Sequence, residues 1–124
     1  MQIGQTFTKT ITVQEKDSAR SLGSGGLDVF GTPAMIALME NTALMMVRDY
    51  LPEGSDTVGI EINAKHLKAS AIGAEISCTA TITAIDGRKI SYSIEAKDAS
   101  GDLIGTATHD RFVVDMEKFM RKLK

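Results

Sequence analysis

Alternation of apolar and polar residues dominates the second half of the chain and predicts β-strands. Within residues 57–66 every second position belongs to one predicted face of a strand, which carries Val58, Ile60, Ile62, Ala64 and His66. This face is expected to cover the core. Similar runs predict strands over residues 76–85, 89–97 and 103–114, and β-branched residues predict a first strand over residues 6–13.

One long segment predicts a helix instead. The segment covers residues 33–50, begins at Pro33, which suits the first helical position, and follows Thr32, a predicted N-cap. The segment ends before Pro52 and Gly54, which are typical of the end of a helix. Because most of its circumference is apolar, we expect surrounding structure to bury this helix.

Turn residues separate the predicted strands. Asp86 and Gly87 lie between two alternating runs and predict a β-hairpin, and residues 98–102 predict a second turn. The glycine-rich residues 18–26 lack the continuation of a phosphate-binding loop and predict a surface loop. At the end of the chain, residues 115–124 predict at most a short amphipathic helix.

These elements predict an α+β architecture. One buried helix precedes a four-strand antiparallel meander, and another strand precedes the helix. A curved antiparallel sheet wrapped around the helix would bury both, within a single domain over residues 1–124. Such a unit leaves one strand edge open, so we expect two copies to pair across a two-fold axis.

Composition excludes several classes of function. The 124 residues are 43% hydrophobic and 24% charged, with a formal net charge of −2, which disfavours nucleic-acid binding. No apolar run is long enough to span a membrane, and the N-terminus lacks a signal pattern. The single cysteine, Cys78, fits a reducing compartment, so a cytoplasmic location is expected. Two histidines and one cysteine without ligand spacing predict no metal site.

Glu40 and His66 are the candidates for chemistry. Glu40 lies on an otherwise apolar part of the predicted helix, where a carboxylate is either functional or paired, for example with Arg48 or at a dimer seam. His66 ends the strand face that should cover this helix. Together they would supply a carboxylate and an imidazole at one place, as acyl transfer requires. A structural role is favoured for His109 on the last strand.

Thr32 is a further candidate, since the start of a helix can polarise a carbonyl oxygen. Eight residues separate it from Glu40, so an unbroken helix places their backbones roughly 12 Å apart. Either a substrate lies between the two side chains, or a second copy of the chain supplies one of them.

Several motifs resemble those of the fluoroacetyl-CoA thioesterase branch of the hotdog superfamily. The resemblance begins at residues 29–35, includes Glu40 and residues 50–54, and continues through Gly59 and His66. It resumes at residues 86–91 and 105–111. The residues before the helix, 18–28, align poorly with the family's aromatic lid, and only Phe30 supplies an aromatic ring there.

The resemblance implies a hotdog homodimer, with a tetramer as a further possibility, that hydrolyses a small acyl-CoA. It implies that Glu40 attacks the thioester or activates water, that His66 positions that group and assists departure of the thiolate, and that Thr32 polarises or orients. Substrate contacts are implied for Phe30, Gly31, Gly59 and Arg111. Coenzyme A enters only as part of the substrate, and no other cofactor is implied.

Two alternatives remain open at this point. Other hotdog proteins hydrate or dehydrate acyl-CoA, usually with an aspartate and a histidine, which Glu40 and His66 match less well. A non-catalytic module that binds acyl-CoA would also fit the pattern. The coenzyme A phosphates are expected to meet some of Lys65, Lys68, Arg88 and Arg111.

Overall fold

Five antiparallel strands form one curved sheet that packs against a single long helix, as the computed structural model of residues 1–124 shows. The strands are β1 (Thr6–Thr12), β2 (Ser55–His66), β3 (Glu75–Asp86), β4 (Lys89–Asp98) and β5 (Leu103–Asp115). The helices are α1 (Ala19–Leu22), α2 (Thr32–Arg48) and α3 (Met116–Arg121). None of them has the length and apolar character needed to cross a membrane. The predicted α+β hotdog architecture is confirmed.

The order of strands differs from the predicted meander. The sheet runs β1-β3-β4-β5-β2, so β2 pairs with β5 and not with β3. The connection between β2 and β3 is too long for a tight turn and passes beside the start of α2, where Phe30 donates its N–H to the carbonyl of Ser70 at 2.8 Å. This contact ties the connection to the helix. The strand order leaves β2 as an open edge of the sheet.

The predicted hairpin between β3 and β4 is confirmed, with its turn shifted by one residue. Asp86 pairs with Lys89, so the two central residues are Gly87 and Arg88. Gly87 has a φ of +60°, which a residue with a side chain rarely adopts.

A β-bulge in β2 makes part of the predicted strand face wrong. The register between β2 and β5 shifts between Gly59 and Glu61, and Ile60 is the unpaired residue, 53% exposed. Ile62 and Ala64 pack against the core as predicted. Before the bulge the inward positions belong to Thr57 and Gly59, because an extra residue inverts the alternation.

The core lies between the sheet and one side of α2. The helix contributes its buried side chains Met35, Leu38, Met39, Ala43, Met46 and Val47, and the facing strands contribute mainly isoleucines and alanines. The opposite side of the helix is not covered. Ala37 and Met45 are exposed, and Ile36 and Leu44 are half-buried. The expectation of a fully buried helix is therefore wrong for one copy of the chain, whose sheet is wide enough to cover one side only.

Both ends of the predicted helix also differ in detail. The helix ends at Arg48 and not at residue 50, and its N-cap is Gly31, with no side-chain capping bond. Thr32 is the first helical residue, and its hydroxyl bonds elsewhere, so the predicted capping role is wrong. The predicted loop over residues 18–26 contains the one-turn helix α1, capped by the buried Ser18, whose hydroxyl accepts from the N–H of Ser21.

Gly105 lets the start of α2 approach the sheet. It pairs with His66 across β2 and β5, and a Cβ added there would overlap the Sδ of the fully buried Met35 and lie 3.1 Å from the Lys65 carbonyl oxygen. We expect Gly105→Ala to lower the free energy of unfolding by about 1–3 kcal/mol through overpacking. Urea denaturation measures the change.

The matched control is Gly26→Ala, since a Cβ on Gly26 meets no atom within 4 Å. Its free energy of unfolding should stay within about 1 kcal/mol of wild type. Equal stability of the two variants would contradict the close approach of α2 at Gly105.

Candidate active site

Thr32 and His66 meet at the start of α2. Thr32 Oγ1 lies 2.9 Å from His66 Nδ1, so the first helical residue is joined to the last residue of β2. Burial lowers the pKa of His66 below its ordinary value and favours the neutral imidazole. Phe30 contacts the imidazole edge-on, with ring centroids 6.2 Å apart. The other ring nitrogen, Nε2, is buried, and the backbone of Lys68 beside the ring raises the pKa by less than burial lowers it.

A pocket of about 290 Å³ opens beside this pair. It lies between the α1 region and the residues that follow β2, and it is lined by Ala19, Ser24, Val29, Phe30, Thr32, His66, Leu67, Lys68 and Ala69. The pocket gives a ligand access to the exposed Thr32, which the hydrogen bond to His66 orients.

Gly31 does not line this pocket. Its N–H donates to the carbonyl of Asp17 at 2.9 Å, and a Cβ on it would lie 3.1 Å from the backbone of Ala19. The residue therefore brings α1 close to the start of α2. Its own N–H is already bonded and is not available to a substrate oxygen.

Glu40 lies about two helical turns after Thr32 on α2, beside a different group of residues. Its Oε2 is 3.9 Å from the NH1 atom of Arg111, and its side chain is 41% exposed. Arg48, the suggested alternative partner, pairs with Asp56 at 3.0 Å instead. The Glu40 carboxylate is thus open to solvent on one side and faces a buried guanidinium on the other.

Arg111 is held by a network of buried hydrogen bonds. Its Nε donates to Thr57 Oγ1 at 2.8 Å, and its NH2 atom donates to the Thr57 carbonyl at 3.0 Å. Its NH1 atom lies 3.1 Å from His109 Nε2, and His109 Nδ1 lies 2.7 Å from the Glu61 carbonyl. Arg111 and His109 are 6% and 2% exposed, which removes Arg111 from the surface where coenzyme A phosphates could reach it.

Gly59 makes room for the carboxylate. A Cβ on this residue would lie 2.8 Å from Glu40 Oε2, 3.2 Å from His109 Cε1 and 3.3 Å from Arg111 NH1. Any side chain here would displace Glu40. The backbone of β2 therefore passes directly beside the carboxylate.

The predicted site residues form two groups, which one chain does not bring together. Phe30, Thr32 and His66 lie at the start of α2, and Glu40, Gly59 and Arg111 lie farther along it. The expectation that Glu40 and His66 lie at one place is wrong for a single chain, because His66 contacts Thr32 at the start of α2, eight residues before Glu40. Lys68, an expected phosphate ligand, is bound by Asp102 and Asp98, each at 2.7 Å, which raises its pKa to about 12.

Sequence reasoning missed Thr57 and the contact between His109 and Arg111. These two residues are two positions apart on one strand, which places both on the same face and is the signal that could have found the contact. Thr57 gave no comparable signal, because the bulge that turns it inward lies three residues later, at Ile60.

Comparisons with known proteins identify relatives of this chain. A family model described as fluoroacetyl-CoA-specific thioesterase matches residues 13–117. The fluoroacetyl-CoA thioesterase of Streptantibioticus cattleyicolor is 31% identical over 130 aligned positions, which cover 100% of this chain and 93% of that protein.

Solved structures are similar as well. A crystal structure of a variant of the fluoroacetyl-CoA-specific thioesterase FlK superposes with a TM-score of 0.94 at 31% identity, covering 99% of this chain and 95% of that one. A thioesterase-superfamily protein of Thermus thermophilus, 24% identical, shares the fold with a TM-score of 0.89 and covers 98% and 92%.

Both histidines make stability depend on pH. Burial lowers the pKa of His66 and of His109 below 6.5, so the unfolded chain takes up these protons at a higher pH than the folded chain does. The free energy of unfolding should therefore fall as the pH is lowered through about 6.5. The hydrogen bond from Lys68 lowers the pKa of Asp98. This carboxylate therefore also loses stabilising free energy on acidification, but only below a pH of 3.8.

Urea denaturation at several pH values between about 8 and 5 measures this slope. His109→Gln should reduce it, since one of the two titrating groups is removed. A midpoint that is constant or rises on acidification would show that the imidazoles are not buried in the neutral form.

Proposed function

This chain belongs to the fluoroacetyl-CoA-specific thioesterase family, and we propose that it hydrolyses a short-chain acyl-CoA to the free acid and coenzyme A. The observation that carries the proposal is the hydrogen bond between Thr32 and His66 at the mouth of a pocket. It presents an oriented hydroxyl at a helix start, where a carbonyl oxygen that gains negative charge is stabilised. A relative in this family has been solved in complex with fluoroacetate and CoA.

The roles that we propose for Thr32 and His66 use one direction of their hydrogen bond, the direction that the Nδ1-protonated tautomer gives. When His66 is neutral and protonated at Nδ1, that N–H donates to Thr32 Oγ1. The threonine O–H is then free to donate to the thioester carbonyl oxygen. We assign Thr32 to polarising the carbonyl, and His66 to orienting Thr32 and assisting departure of the thiolate.

Glu40 supplies the attack on the carbonyl carbon. Its carboxylate either takes a proton from a water molecule, whose oxygen attacks the carbon, or attacks directly to give a glutamyl anhydride that water then cleaves. In both routes the carbon–sulfur bond breaks and the coenzyme A sulfur leaves as thiolate and gains a proton. Gly59 lets the carboxylate lie against the strand, and Arg111 faces it from the core.

We propose that two copies of the chain complete each site. Gly59, beside Glu40, and His66 are seven residues apart on β2, which corresponds to about 24 Å of extended strand. Antiparallel pairing of two β2 edges about their midpoints would place the partner's His66 nearer, about four residues or 14 Å along the strand. The exposed Ile60 on this edge and the uncovered side of α2 support such a homodimer.

The proposal also includes the part played by coenzyme A, the cellular location and the domain organisation. Coenzyme A enters as part of the substrate. The free thiol of Cys78, buried in the core, supports a reducing location such as the cytoplasm. Residues 1–124 act as one hotdog domain in this proposal.

The test is release of free thiol from a panel of acetyl-, fluoroacetyl-, branched and aromatic acyl-CoA thioesters. We expect turnover of at least one short-chain member. Glu40→Gln should lower kcat by about 100-fold or more, because it removes the base or nucleophile. The exposed Glu53→Gln is the matched control and should retain wild-type activity.

Absence of thiol release from every member, with folded protein, would overturn the proposed hydrolysis. Addition of water to an α,β-unsaturated enoyl-CoA, supplied separately, to give the 3-hydroxyacyl-CoA would then indicate a hydratase. Tight binding without any product would indicate a binding module.

A further inference from the structure

We infer that His109 is a positioning residue for the proposed thioester hydrolysis, because its hydrogen bond to Arg111 keeps the guanidinium from closing onto Glu40. This inference rests on the proposed function for its catalytic consequence. The hydrogen-bond geometry that it requires can be measured without any substrate.

The contacts of His109 select one tautomer. Nδ1 lies 2.7 Å from the carbonyl oxygen of Glu61, which only accepts, so Nδ1 must carry the proton. Nε2 then has a lone pair and accepts from Arg111 NH1 at 3.1 Å. The opposite tautomer would leave two acceptors facing each other at Glu61 and two donors facing each other at Arg111.

The surroundings keep this imidazole neutral. Burial lowers the pKa of His109, and the ring of Tyr92 on β4 stacks over it at a centroid distance of 6.0 Å. The charged groups that face it are Arg111 and Asp110 on its own strand and Glu40 on α2, while β2 presents the Glu61 carbonyl. Protonation would place a second N–H donor against the Arg111 guanidinium and break the bond between them.

The bond to His109 sets the distance between Arg111 and Glu40. Thr57 accepts hydrogen bonds from the Nε and Nη2 atoms of Arg111. The remaining nitrogen of the guanidinium, Nη1, is the one that faces Glu40. At 3.9 Å the charges attract each other, but the distance is too long for a hydrogen bond. The carboxylate therefore keeps its lone pairs available for attack. Without an acceptor at His109, the Arg111 Nη1 atom would be left with a buried unpaired proton, which the Glu40 carboxylate, 3.9 Å away and negatively charged, can accept.

Two substitutions at His109 test the hydrogen-bond acceptor at Nε2 separately from the rest of the imidazole ring. His109→Asn keeps a donor near the position of Nδ1 and removes the acceptor for Arg111. His109→Gln places an amide oxygen near the position of Nε2 and restores an acceptor. Asparagine is smaller than histidine, and glutamine is similar to it in length. Thermal melting reports whether each variant folds.

We expect His109→Asn to lower kcat on the best thioester by at least about tenfold, with KM changed less than about twofold, because a misplaced attacking group affects the transition state more than binding. His109→Gln should recover kcat to within about threefold of wild type. A crystal structure of the asparagine variant should show Arg111 and Glu40 in direct hydrogen-bond contact.

The tautomer is tested in wild-type protein by ¹⁵N NMR of the imidazoles. The chain has two histidines, and His66→Asn assigns the signals. We expect His109 to be neutral and protonated at Nδ1. An Nε2-protonated ring, or equal kcat in wild type and His109→Asn, would overturn the inference.

A loss in His109→Gln as large as that in His109→Asn, with both variants folded, would also overturn it. If wild-type protein releases no thiol from any thioester, the proposed function fails by itself. The NMR tautomer and the Arg111–Glu40 distance in the variant then still decide whether His109 sets this geometry.

Discussion

The fixed rise of helix α2 is the constraint on which the candidate site depends. Thr32 begins this helix and Glu40 follows eight residues later, so the two backbones stay about 12 Å apart whatever surrounds them. Strand β2 also keeps the two groups apart, since His66 contacts Thr32 while Gly59, seven residues earlier on the strand, lies beside Glu40. The Thr32 and Glu40 side chains of one chain are too far apart for direct contact, and we propose that a second copy brings the two groups to one thioester carbonyl. The open edge of β2 and the uncovered side of α2 are where a second copy would supply the missing half.

Two glycines allow the helix to lie this close to the sheet. Gly105 leaves space for Met35 near the start of α2, and Gly59 leaves space for the Glu40 carboxylate farther along. The contact between helix and sheet buries His109 and half-buries His66, and this burial lowers the pKa of both imidazoles. Packing and chemistry are therefore linked, because the same close approach that forms the core favours the neutral form of both rings.

Much of this arrangement was predictable from the sequence. Alternation located the strands, and Thr32, Pro33 and the residues after Arg48 located the helix to within two residues. The bulge at Ile60 was not predicted, although a glycine within a strand is typical of one. The pairing of β2 with β5 depends on contacts of the long connection to β3 that no local pattern specifies. Thr32 has the side chain of an N-cap, but its bond to a residue 34 positions away determines its place.

Subunit mixing tests the claim that the site spans two protomers most directly. Glu40→Gln and His66→Asn chains, carrying different tags and each inactive alone, are co-expressed, and the mixed dimer is purified. A site formed by Glu40 of one protomer and His66 of the other is restored once per mixed dimer, so we expect about half of wild-type activity. Mixed dimers no more active than either parent would contradict this account and place each complete site within one chain.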